Sequence, residues 1–198
     1  MENLKSSFKI FSVFFLIVAN LYVWQFVLAL NSDLKVVFLD VGEGDSALIT
    51  TSQGHQILID GGPGEKVLSK FPQEMPFWDR TIDLVILTHP EYDHLSGLNK
   101  VLENYRGEKV LWNGILRDTA VFKQWQKDLT DKKPQVLIAQ AGVKVKAGTT
   151  LGWVLSPLQN LEGQFWEKDS NTSSVIFKLS YGLNSLWAML LSLLKKNC

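Results

Sequence analysis

His89-Pro90-Glu91-Tyr92-Asp93-His94 places two imidazoles and two carboxylates within six residues, directly after the apolar run Leu84-Val85-Ile86-Leu87. The chain has 3 histidines, His55, His89 and His94, so most of its imidazole supply is concentrated here. Neutral imidazole and carboxylate are the donors that bind zinc, and oxygen-richer sets also suit manganese. A divalent cation held in this way acidifies water and polarises an ester, so hydrolysis is the chemistry these residues suggest. The candidate metal ligands are His89, Glu91, Asp93 and His94. Asp93 is also the candidate for orienting the attacking water.

These residues need strands that end at one place. The runs 35–39, 46–50, 56–59 and 82–87 are short, apolar and bounded by Gly or Asp, as buried strands are. Leu95, Leu98, Val101, Leu102 and Tyr105 fall at helical spacing, so a helix is expected to begin just after His94. Residues 109–112 suggest another strand, and Val121, Phe122, Trp125 and Leu129 another helix that stops before Pro134. Further short strands are expected at 136–139, 143–145, 151–155 and 175–179. The pattern is that of a layered α/β domain with its chemistry on loops at strand ends.

The remainder of the composition narrows the setting. The chain has 198 residues, with 20 basic and 20 acidic side chains. Setting aside Lys5, Lys9 and Glu2, which precede residue 31, leaves a nearly neutral domain with no dedicated basic surface for DNA. A nucleic acid stays open as a substrate, because a bound metal attracts phosphate without a basic surface. The single cysteine, Cys198, excludes an internal disulfide and a cysteine-based zinc site. From Ile10 to Leu30 there is no charged residue, which is enough helix to cross a hydrocarbon core of roughly 30 Å. Lys5 and Lys9 before this run favour a cytoplasmic N-terminus and an extracytoplasmic domain. The run is longer than a signal-peptide core and lacks a good cleavage site, so an uncleaved single-pass anchor in the cytoplasmic membrane is expected. The expected organisation is an anchor over 1–31, a domain over 32–182 and an atypical tail over 183–198.

Three ordered motifs then resemble a known family. Phe38-Leu39-Asp40-Val41-Gly42-Glu43-Gly44-Asp45-Ser46, Ile57-Leu58-Ile59-Asp60-Gly61-Gly62 and Leu87-Thr88-His89-Pro90-Glu91-Tyr92-Asp93-His94-Leu95-Ser96-Gly97-Leu98 are similar to the opening motifs of metallo-β-lactamase-fold hydrolases. Their wording is most similar to the hydrolase domain of ComEC-type DNA-uptake proteins. The resemblance implies a four-layer αββα sandwich, one or two divalent metals (zinc or manganese), and hydrolysis of a phosphodiester or related ester. It assigns His89 and position 91 to one metal and Asp93 with His94 to the other. Position 91 is usually histidine in the wider fold and is Glu91 here.

Downstream the resemblance thins. No histidine follows His94. Asn171, in Asp169-Ser170-Asn171-Thr172-Ser173, is a candidate replacement ligand. Asp60 is a secondary candidate, weighed equally against a turn-forming role. For Asp40 and Asp45 loop capping outweighs a site role, and His55 reads as an exposed hairpin residue. Trp112, Trp125, Trp153 and Trp166 are better explained by core packing than by base stacking. The Gly-Asp motif expected after the strand at 175–181 is missing. With suitable codons for Leu186, Ala188 and Leu190, a one-base shift would restore it, so the tail is read as a frameshifted end. Two function classes remain: a membrane-anchored metallo-hydrolase, with nuclease activity among its options, and a catalytically defective relative that keeps the scaffold without a complete metal site.

Overall fold

The computed structural model describes residues 2–30, 33–166, 170–181 and 184–188. The chain divides into two units, Met1–Asp33 and Leu34–Cys198. The first is a single helix, α1 (Glu2–Leu30). Among the described residues no helix is long and apolar enough to cross a membrane, and the described side chains of α1 stop at Gln25, short of the expected span at 10–30.

The second unit is built on a six-stranded sheet, β1 (Lys35–Phe38), β2 (Ala47–Thr50), β3 (Gln56–Ile59), β4 (Thr81–Leu87), β5 (Arg106–Trp112) and β6 (Gln135–Ile138), in that spatial order. β1, β2 and β3 are antiparallel neighbours, whereas β3 to β6 run parallel. A second, antiparallel sheet has the order β10-β9-β8-β7, from β7 (Lys144–Ala147), β8 (Thr150–Ser156), β9 (Ile176–Tyr181) and β10 (Asn184–Ala188). β10 lies in the stretch that the sequence sets apart as a tail, so the second sheet runs on into it.

The parallel strands are apolar on both faces because each face has a different partner. Leu58, Val85, Leu87 and Val110 pack with Val67 and Phe71 of α2 (Lys66–Glu74), Leu95 and Leu98 of α3 (Tyr92–Asn104), and Phe122 and Trp125 of α4 (Ala120–Lys132). Their alternates Ile57, Ile59, Leu84, Ile86 and Leu111 pack with Val154, Phe177 and Leu179 of the second sheet. The layers are therefore helices, sheet, sheet. Among the described residues of this unit no helix covers the outer face of the second sheet, where Leu151 and Leu155 are exposed. Three layers of the expected four-layer αββα sandwich are thus seen among the described residues.

α2 was not anticipated from the sequence, because it is short, polar and interrupted by Pro72. The expected helix after His94 is α3, beginning at Tyr92 with Glu91 as its N-cap. β3 and β4 both end at the same edge of the sheet, and Asp60 and Thr88-His89 follow them there. Crevices beyond the carboxyl ends of parallel strands are where α/β proteins place their ligands.

Candidate metal centre

Backbone packing brings the motifs together. The Asp60 amide donates to the Ile86 carbonyl (2.9 Å), which extends the β3–β4 pairing past the end of β3. Gly61 N donates to His94 O and Gly97 N to Gly62 O, both at 2.8 Å. A Cβ on Gly97 would lie 1.9 Å from Gly61 O, and one on Gly44 would lie 2.1 Å from Asp93 O. These glycines let the first turns of α3 lie directly on the loops after β1 and β3, so Asp60 meets His94.

Asp60 is fully buried and has a positive φ of 53°. Its carboxylate accepts from Thr88 N (2.8 Å), Thr88 Oγ1 (2.6 Å) and His94 Nδ1 (2.8 Å). Since the Thr88 hydroxyl donates to Asp60, its oxygen accepts from His89 Nδ1 at 2.9 Å. The hydrogen-bond network thus puts a proton on Nδ1 of both rings, which leaves Nε2 as the lone-pair nitrogen of each neutral imidazole. The two buried rings lie 4.1 Å apart between centroids, tilted by 47°. His94 Nε2 lies 3.6 Å from Asp93 Oδ2, on a carboxylate whose side chain is 49% exposed. Asp60, on Nδ1 of His94, is placed as an outer carboxylate that orients a metal-binding imidazole.

The charges differ for the two rings. Burial, then the charge of His94, hold the pKa of His89 below the ordinary histidine value. Burial also disfavours the His94 cation, but the hydrogen bond and charge of Asp60, with the charges of Asp93 and Asp45, more than offset it. The His94 pKa is accordingly raised.

Position 91 behaves differently. Glu91 Oε1 lies 2.8 Å from Arg117 Nη2, in a pair whose side chains are 34% and 19% exposed, and Arg117 Nη1 donates to Trp166 O at 2.6 Å. Asn171 lies exposed on the 3-10 turn Ser170–Ser173. That turn is tied to the site by Val175 N donating to Thr88 O (2.9 Å). Asp40 pairs with Lys70 (3.5 Å), and Asp45 supports Gly62 N through its backbone carbonyl (3.1 Å). His55 closes the β2–β3 hairpin as expected but is half-buried, with Nδ1 3.1 Å from Asp83 Oδ1. Trp112 and Trp125 are packed in the core beneath the helices, as expected. The roles of Thr88 and Arg117 escaped the sequence analysis, although Thr88 stands inside the quoted motif.

The donors therefore fit a divalent cation in kind and in tautomer, with two Nε2 lone pairs and one carboxylate. They fall short in convergence: among the described residues no three His, Cys, Asp or Glu side chains gather as a metal set.

Comparison with known proteins agrees with the fold. The family model for the beta-lactamase superfamily domain matches residues 55–178. A hydroxyacylglutathione hydrolase of Serratia proteamaculans (strain 568) is 33% identical over 63 residues, which are 32% of this chain and 24% of that protein. The metallo-beta-lactamase fold protein YhfI from Bacillus subtilis superposes with a TM-score of 0.50 at 18% identity, over 78% of this chain and 61% of that one. Rm3 metallo-beta-lactamase gives 0.49 at 16% identity, over 76% and 56%. The chain thus spans about a quarter of the curated relative and under two thirds of these structures. With strands, helices and the family model coinciding over Asp60, His89 and His94, the chain belongs to the beta-lactamase superfamily domain family.

Proposed function

We propose that this chain is a membrane-anchored, metal-dependent hydrolase of phosphodiesters or related esters, akin to the hydrolase domain of ComEC-type DNA-uptake proteins. The observation that carries the reading is the relay His89–Thr88–Asp60–His94, which commits two buried imidazoles to presenting Nε2. A structural histidine pair would have no need of a shared, fully buried carboxylate to set both tautomers. The likeness to a protein named as a hydrolase supports the reaction class.

His89, His94 and Asp93 would hold a zinc or manganese ion, which supplies Lewis acidity to the ester and acidity to water. Asp60 and Thr88 keep the proton on Nδ1 of both rings. Asp93, whose side chain is half-exposed, would also orient the attacking water. The uncharged segment 10–30 anchors the chain in the cytoplasmic membrane, and the lysines before it favour an extracytoplasmic domain. A second reading, a relative defective in metal binding, is favoured by one observation: the Glu91 carboxylate is engaged by Arg117.

The test uses the full chain in detergent micelles, with metal content measured after dialysis and turnover followed on bis(p-nitrophenyl) phosphate. Stoichiometric metal and turnover, both lost in His94→Ala, are expected. Absence of both in the wild type would leave the defective reading standing.

A further inference from the structure

Arg117 is fixed before it reaches Glu91. Leu116 N donates to Gln164 O (2.8 Å) and Trp166 N to Leu116 O (3.1 Å), a short parallel bridge between Leu116 and Phe165. The guanidinium itself is fastened to the Trp166 carbonyl. Its second nitrogen points at Glu91, 26 residues away in sequence and at the N-cap of α3. Glu91 lies two residues from His89 and two from Asp93, and its charge acts on the His89 ring, so its carboxylate is the nearby donor that could be added to the set.

We propose, resting on the metal-dependent reading above, that Arg117 and the metal compete for Glu91, so that Arg117 limits how tightly the site holds its cation. Two physical terms give the sign. Glu91 must leave a charge-assisted hydrogen bond before it can ligate. A permanent guanidinium charge beside the site also repels an incoming dication, and partial burial weakens solvent screening of that repulsion. Metal binding then exchanges one partner of Glu91 for another. The bland alternative is an ion pair that only fastens the start of α3 to the loop at 164–166, and it predicts no change in metal affinity when Arg117 is replaced.

The experiment is equilibrium dialysis of the full chain in detergent against zinc or manganese chloride, with bound metal quantified and affinity set by competition with a chromogenic chelator. Arg117→Gln is expected to bind about tenfold more tightly, a change of ~1.4 kcal/mol, or to take up an additional equivalent. The gain is expected to disappear when Glu91→Gln is added. Glu91→His leaves Arg117 on Trp166 but cannot be held by it, so it should also tighten binding and serves if Arg117→Gln does not fold. Unchanged or weaker affinity in folded Arg117→Gln, or in Glu91→His where the former misfolds, overturns the proposal. Where the wild type binds metal through His94 but is indifferent to Arg117, only this inference fails. Where no variant binds metal, the hydrolase reading fails with it.

Discussion

Replacing Asp60 with asparagine removes one charge and converts one acceptor into a donor with almost no change of shape. Asparagine tolerates positive φ, so the backbone at 53° is kept and the side chain alone is tested. The carboxylate accepts three hydrogen bonds in a fully buried position. If the amide oxygen stays on Thr88 N, the amide nitrogen confronts the Thr88 hydroxyl and the His94 Nδ1 proton, donor against donor. His94 is then driven to the other tautomer, with its lone pair on Nδ1 and its proton on Nε2. Breaking a buried, charge-assisted set of this kind costs about 3–5 kcal/mol, a large part of the roughly 5–15 kcal/mol that holds a domain folded. The pH dependence has a definite sign in the metal-free protein. The raised pKa of His94 contributes stability that is fully present below the unfolded value and is lost as pH rises through the folded value. Without Asp60 burial dominates and that contribution goes, so the gap between wild type and variant is widest on the acid side. Urea unfolding at several pH values and nitrogen-15 spectra of the His94 ring read both effects. A variant that keeps Nδ1 protonated, with unfolding unchanged across pH, would refute the relay.

Thr88→Val keeps the shape but removes the hydroxyl between Asp60 and His89; it should cost about 2 kcal/mol in urea unfolding and weaken metal binding by at least about tenfold by dialysis. Gly97→Ala drives a methyl to within 1.9 Å of Gly61 O, where neither backbone can give, so a loss of at least about 3 kcal/mol or failure to fold is expected by circular dichroism. Asp128→Asn should do the opposite. Asp128 is buried, burial raises its pKa, and Oδ2 has no hydrogen-bond partner among the described residues. Its charge therefore costs stability above the folded pKa and not below it, and the variant should gain on the order of 1 kcal/mol near neutral pH, shrinking to nothing in acid.

What could be read from the sequence was whatever is local. Runs such as Leu84 to Leu87 need no partner to be recognised as buried strands, and the stripe from Leu95 to Tyr105 announces α3. His89, Glu91, Asp93 and His94 are legible for the same reason, being neighbours in the chain. Lys66–Glu74 hid its helix because Pro72 and several charged or polar residues mask the stripe of Val67 and Phe71. The outer helical layer expected from family likeness has no local signal in these residues and is not found among those described. Asp60 illustrates an intermediate case. A turn role is readable from its place before two glycines and is seen in its left-handed backbone, whereas its three-donor carboxylate depends on partners distant in the chain.

The relations that decide the site are long-range. Thr88 meets Asp60 across 28 positions, His94 meets Asp60 across 34, and Glu91 meets Arg117 across 26. No period or spacing encodes such pairings; they follow from where β3, β4 and α3 end and from glycines small enough to let backbones touch. The sequence directed attention to the histidines missing downstream. The structure adds a nearer feature, the Glu91 carboxylate in the same stretch of chain as the histidines and paired with Arg117. On the proposal above, how tightly the centre holds a metal turns on the exchange of Glu91 between Arg117 and the cation. That is a competition of about one decade in affinity, well within reach of a single substitution.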